Sequence, residues 1–136
     1  MAKHAFRAFN LDNQVISRFD DPTKILFPMV EFDLGHEYDP TTSTFVPSAN
    51  GIYSICAGLY IDPLSVSQPV DMAIRVNGTL KTFLFGEPSV AGGTIVMGCN
   101  ILQLSIGDKV DIIMGHGSDI TLFGGNDRFY FTASLL

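Results

Sequence analysis

The sequence is short of charge. Its 136 residues include eight Lys or Arg and fourteen Asp or Glu, 16% in all, against about 25% in an average soluble domain. The balance is acidic, with a formal net charge of −6 and a pI near 4.7, so nothing draws the chain to nucleic acid or to an anionic membrane. No apolar run approaches the roughly eighteen residues of a membrane span, and no membrane insertion is expected. The opening MAKHAFRAFN has no apolar signal-peptide core, so either the chain is not exported by that route or it is an excised domain. There is no tryptophan, the commonest sugar-stacking residue, which counts against a lectin. Glycine at every third position, the mark of a collagen-like stalk, is absent. So is any helical period.

Only two cysteines are present. Cys56 and Cys99 form no disulfide framework and have no metal-ligand spacing. Both lie inside apolar runs, where a thiol pKa rises. They are expected to stay reduced and to react slowly until the protein unfolds.

What is present is apolar, 46% of the chain. A small protein with few charges has apolar surface left over after filling one core, and exposed patches of that kind mark partner surfaces. The length fits a single domain, 1–136. Residues 4–9 alternate around Phe6 and Phe9, 14–18 form a short second strand, and 23–32 a strand interrupted at Pro28, which predicts an edge position or a bulge. Residues 51–61 are too β-branched and too well bounded for a helix. Residues 70–75 alternate, and Asn77-Gly78 is the strongest hairpin signal. A two-residue loop would set Lys81 opposite Ile74, on the wrong face. A three-residue loop, 76–78, pairs Ile74 with Leu80 and Met72 with Thr82, and that register is expected. Residues 94–104, where Gly98 suggests a bulge, then 109–114, 120–123 and 128–136 bring the count to about ten strands, an all-β sandwich or barrel. Segments 62–69, 85–92 and 115–119 are rich in Gly, Pro and Ser. They read as loops projecting from the ends of the sandwich and are the expected binding elements.

The most informative stretch runs from Phe27 to Ala57, FPMVEFDLGHEYDPTTSTFVPSANGIYSICA. Tyr38-Asp39-Pro40 and the three hydroxyl residues after it form a turn cluster. Pro47 to Gly51 form a second turn. Phe27, Asp33, Tyr38, Phe45, Gly51 and Tyr53 fall at the spacing aromatic, Asn or Asp, aromatic, Phe, Gly-x-Tyr-x-Phe-x-aromatic. The stretch resembles the globular heads of the complement component 1q family, the tumour-necrosis-factor-like jelly rolls. Ile55 and Ala57 depart from that pattern with smaller side chains. Ala5-Phe6-Arg7-Ala8, the run Leu102-Gln103-Leu104 with Gly107, Asp108 and Val110, and the closing Phe131 to Leu136 (Ala133 for the family's Gly) extend the likeness over essentially the whole chain.

The resemblance implies a ten-stranded jelly-roll β-sandwich that assembles as a homotrimer. It implies a non-enzymatic interaction or structural head, displaying loops to an unknown protein or surface ligand, extracellular or on a cell or spore surface. Without a stalk, signal peptide or disulfide, the reading leans to a bacterial or phage-related member. Three strands are apolar on both faces, which an exposed sheet is not. Tyr53, Ile55 and Leu59 oppose Ile52, Cys56 and Tyr60. Leu102 and Leu104 oppose Ile95, Met97, Cys99 and Ile101. Phe129, Phe131, Ala133 and Leu135 oppose Tyr130 and Leu136. One face of each fills the core and the other needs a cover, which the resembling fold supplies around a threefold axis. It implies that Cys56, Tyr60, Met97, Cys99 and Phe131 line that axis, with the strands of the two cysteines adjacent. Parity groups residues by face, and only the resemblance says which face is axial.

Catalytic chemistry finds little support. His4, His36 and His116 are scattered, and His36 reads as a solvated loop residue. A Cys–His nucleophile pair stays open, although nothing near the cysteines supports it. There is no Gly-x-Ser-x-Gly elbow and no phosphate loop. Asp20-Asp21 and Asp12-Asn13 read as turn residues. Some members of the resembling family bind calcium through a loop that here holds only Glu87, and a hard calcium site wants six to eight oxygens. No metal and no cofactor are therefore expected. The alternative reading is a small β-sandwich carbohydrate-binding module or hydrolase.

Overall fold

A computed structural model describes residues 3–136. They form thirteen strands: β1 (Ala5–Phe9), β2 (Gln14–Ile16), β3 (Thr23–Lys24), β4 (Met29–Asp33), β5 (Tyr38–Asp39), β6 (Thr44–Phe45), β7 (Gly51–Tyr60), β8 (Gln68–Val76), β9 (Thr79–Val90), β10 (Ile95–Leu104), β11 (Val110–His116), β12 (Ile120–Leu122) and β13 (Tyr130–Leu135). The expected segment 23–32 splits at Pro28 into β3 and β4, and the turn cluster after Tyr38 folds a two-residue pair of its own, β5 with β6. One sheet runs β10-β7-β13-β1-β4. The other runs β5-β6-β11-β8-β9, with β3 also on β11, and a separate ribbon pairs β12 with β2. The chain crosses from the second sheet to the first at Pro28, and β4 is an edge strand, where a proline costs no ladder bond.

The spacing of the 27–53 stretch has a local cause. Asp33 accepts the backbone N–H groups of Glu37 (3.0 Å) and Tyr38 (2.9 Å), which closes the turn after β4. The Tyr38 hydroxyl donates to the Phe27 carbonyl (2.7 Å), and the Phe27 N–H donates to Ser43 Oγ (2.8 Å). Burial pushes the Tyr38 phenol well above its ordinary pKa. Tyr53 is pinned by its hydroxyl to the Ala49 carbonyl (2.7 Å). The rings of Tyr38 and Phe27 then meet Phe6 and Phe131 between the sheets, and that of Tyr53 meets Phe45. Phe6 stacks on Tyr38 at 4.5 Å and meets Phe45 and Phe131 at 5.0 Å each.

Three local expectations need correction. The hairpin loop has two residues, Asn77 and Gly78, both at positive φ (54° and 80°), as a primed turn requires. Val76 therefore pairs with Thr79 and Arg75 with Leu80, but Ile74 pairs with Thr82, because a bulge takes up Lys81. The extra residue that keeps Lys81 off the core face sits in the strand and not in the turn. Secondly, most of 85–92 is strand: β9 continues to Val90, with Phe85 opposite Met72. Thirdly, β10 pairs with β7 without a bulge at Gly98. The glycine is needed because β9 passes so close that a Cβ there would lie 2.1 Å from the Leu84 carbonyl oxygen. That contact closes one side of the sandwich.

Candidate functional site

Of the two sheets, the first has an outer face that is apolar across several strands. Antiparallel register fixes its rows. In β10 and β7, Ile95 lies beside Tyr60, Met97 beside Gly58, Cys99 beside Cys56, and Ile101 beside Ser54. Across β7 and β13 the rows continue with Tyr130, Thr132 and Ser134, and across β1 with Phe9, Arg7 and Ala5. The middle row is Cys99, Cys56, Thr132 and Arg7, the next is small, with Ser54, Ser134 and Ala5, and Met97 and Ile101 stand up along the β10 edge. They are 53% and 58% exposed. On the far edge, Met29, Phe32 and Leu34 are also exposed. Beside Ala5 and Ser134 lies a cavity of about 340 Å3 lined also by Lys3, His4, Leu34, Leu135 and Leu136.

Two of the cations on this face are held in place, while Lys3 stands at the mouth of the cavity with no ion pair among the described residues. Arg7 bonds Glu31 (3.1 Å) and the Asn126 carbonyl, with its guanidinium 5.5 Å from the Tyr130 ring centre. Arg128 lies 4.9 Å over Tyr60, an arrangement worth about 0.5–1 kcal/mol at exposed sites. The face thus combines an aliphatic ridge, a shallow groove and guanidinium–aromatic stacks, with no unpaired carboxylate row to repel a second apolar surface.

Of the five residues expected at an axis, Cys56, Tyr60, Met97 and Cys99 share this outer face. Phe131 does not. It pairs with Ala57, is fully buried, and packs against Phe6, Phe27 and Tyr38 inside the sandwich. Parity along β13 already groups it with the inward Phe129 and Ala133. The outward residues of that strand are Tyr130, Thr132 and Ser134. Ile52, Ile95 and Ile101 belong to the outer face as well, and the same parity finds them.

The expectation of two free thiols is also corrected. Cys56 and Cys99 are register partners, their Cα atoms 4.1 Å apart, and their sulfurs are bonded. Apolar flanks suggested burial, but parity puts both side chains on the outer face, and direct opposition in an antiparallel pair brings the two Cβ atoms within disulfide reach. The bond closes a separation of 43 residues and ties the edge strand β10 to β7. A Cys56→Ser/Cys99→Ser variant should lose about 2–4 kcal/mol of stability, read as a lower denaturant midpoint. An unchanged midpoint would mean the bond constrains little.

With no free cysteine, a Cys–His nucleophile pair is ruled out among the described residues. Glu37 is buried, and its Oε2 accepts from the Ser48 N–H (2.6 Å) and hydroxyl (2.9 Å) and meets His4 Nδ1 at 3.1 Å. The carboxylate thus stands between serine and histidine, an order in which the imidazole cannot take the serine proton. His116, expected in a loop, is buried at the end of β11. Its ring nitrogens lie 3.1 Å from the Ser118 carbonyl and 3.0 Å from that of Asp20. His36 is exposed, at φ 54°. Among the described residues no three metal-ligating side chains cluster, and no helix is long and apolar enough to cross a membrane. The loops are shorter than expected, at 61–67, 91–94 and 117–119.

The fold has many counterparts among solved structures. The globular domain of zebrafish complement 1qA superposes with a TM-score of 0.74 at 16% identity, covering 98% of this chain and 97% of that one. Murine APRIL gives 0.72 at 11% identity over 98% and 99%. Eiger TNF from S. frugiperda gives 0.70 at 12% identity over 100% and 94%. No protein-family model matches the sequence, and no curated protein matches it. The chain is a complement-1q/TNF-like jelly roll.

Proposed function

We propose that the protein is a non-enzymatic binding head, working as a homotrimer whose protomers meet through the outer face of the first sheet. The observation that carries this is the face itself: exposed Met97, Ile95 and Ile101 on an edge ridge, and across the sheet a groove lined by Ala5, Ser134, Leu34 and Leu136. A ridge on one copy and a groove on the next form a head-to-tail contact, and such contacts close into a ring when the rotation fits. The threefold packing implied by the sequence resemblance is that ring. The disulfide supports an extracellular or surface setting, since such bonds persist in oxidising compartments. It also removes one of the grounds for leaning towards a bacterial or phage-related protein.

Apart from Ile61, which is bridged to Leu122, the loops 62–67, 91–94 and 117–119 are the elements left to meet a protein or surface ligand. Exchanging any one of them should change partner binding while the melting temperature stays within a few degrees, because connecting segments contribute little to the core. If binding survives every exchange, the partner is held elsewhere. A screen of hydrolase substrates tests the alternative: turnover abolished by replacing a single histidine would overturn the binding-head reading.

A further inference from the structure

A second concave surface lies on the ribbon of β2 and β12. A cavity of about 260 Å3 opens there, walled by Val15, Leu64 and Val66, with Thr121 and the carboxylates of Asp62 and Asp119 between them. Its aliphatic wall is left in water. Leu64 is 91% exposed, Val15 79% and Val66 64%. Three large apolar side chains around one concavity are more than the scattered exposure every surface carries.

The loop that presents Leu64 is fixed. Asp62 N–H donates to the Thr121 carbonyl (2.9 Å), which joins the loop to the ribbon. The Leu64 N–H donates to Asp62 Oδ1 (2.9 Å), and the Ser65 N–H to the Asp62 carbonyl (2.9 Å). From the other side the 91–94 turn presses on it: a Cβ at Gly92 would lie 2.5 Å from the Asp62 carbonyl oxygen. A surface held in its binding shape loses less entropy when it is occupied.

Charge selects the occupant. Among the described residues no lysine or arginine lines the cavity. Asp62 makes no ion pair among them, and its Oδ1 accepts only the Leu64 N–H. Asp119 Oδ1 accepts the Arg18 N–H (2.7 Å) and meets the Arg18 guanidinium at 3.6 Å, with both side chains about three-fifths exposed, which leaves Asp119 Oδ2 without a bond among the described residues. The chain's net charge of −6 adds a field that favours cations. We infer that this cleft docks a partner protein through an arginine or lysine flanked by aliphatic side chains, the cation between Asp62 and Asp119 and the aliphatic groups on Leu64, Val66 and Val15. The inference deepens the binding-head reading and rests on it in taking the loops as the binding elements. It does not require the trimer.

The probe is the capped tripeptide Leu-Arg-Leu, titrated into the 15N-labelled 136-residue chain, with Leu-Glu-Leu as control. The arginine peptide should shift the amides of 62–67 and 119–121 saturably. An Asp62→Asn/Asp119→Asn variant, in which each side-chain oxygen can still accept its backbone bond, should bind about tenfold more weakly with an unchanged melting temperature. Leu64→Ser should weaken binding as well. Equal shifts from the glutamate peptide, full affinity in the double asparagine variant, or no shifts at these amides would each overturn the inference. Should loop exchange abolish partner binding while the peptide leaves the cleft unmoved, the binding-head reading stands and this one falls.

Discussion

Aspartate at both Met97 and Ile101 should convert the proposed trimer into folded monomers. Both side chains are more than half exposed in the protomer, so there the new carboxylates stay hydrated, and surface changes of that kind cost within about 0.5 kcal/mol. In the trimer the same positions would bring six carboxylates against apolar surface, and an unpaired buried charge costs several kcal/mol even after relaxation. Burying about 800 Å2 of largely apolar surface per subunit, at about 25 cal/mol per Å2, gives a gross stabilisation of about 20 kcal/mol. Association entropy and side-chain ordering take back much of it, so six misplaced charges are enough to tip the balance. Sedimentation should read the monomer mass while circular dichroism keeps its strand signature and unfolding stays cooperative, at a melting temperature lowered by the lost association. A variant that still sediments as a trimer would show that the β10 ridge is not in the interface.

Phe131→Ala should act in the opposite way, on folding before assembly. The ring lies 5.0 Å from Phe6, 5.4 Å from Phe27 and 5.9 Å from Tyr38, centre to centre, with no exposure. Truncating it leaves a cavity in the buried aromatic cluster of the sandwich, at a cost of about 3–5 kcal/mol. That is a large fraction of the 5–15 kcal/mol typical of a whole domain. Urea denaturation of the purified variant measures it. A loss below about 1 kcal/mol would contradict the core placement, since deleting a well-packed ring never comes so cheaply.

The contrast between Met97 and Phe131 shows what the sequence could carry. Strict alternation put Tyr53, Ile55, Ala57 and Leu59 on one side of β7 and Ile52, Cys56 and Tyr60 on the other, and the structure keeps both sets. Alternation does not relate one strand's inner face to another's. Phe131 was placed at the axis on likeness, against its own parity with Phe129 and Ala133. Pairing settles it, because Phe131 stands opposite the inward Ala57. The disulfide was missed for a related reason. Two cysteines 43 residues apart give no spacing to read, and only the register of β7 against β10 sets them face to face. At the hairpin, the demand that Lys81 leave the core face was legible and the means was not, since a bulge depends on β8 and β9 together. Leu64 and Val66 lay inside an expected loop, but their convergence with Val15 across the ribbon needs contacts some fifty residues apart.

The central claim is that protomers associate in threes through the outer face of the first sheet. Sedimentation equilibrium of the oxidised wild-type protein at micromolar concentration tests it most directly. The expected mass is three times the 14.8 kDa of the chain, falling to the single-chain value in the Met97→Asp/Ile101→Asp variant. A wild-type protein that sediments at 14.8 kDa across that concentration range would contradict it.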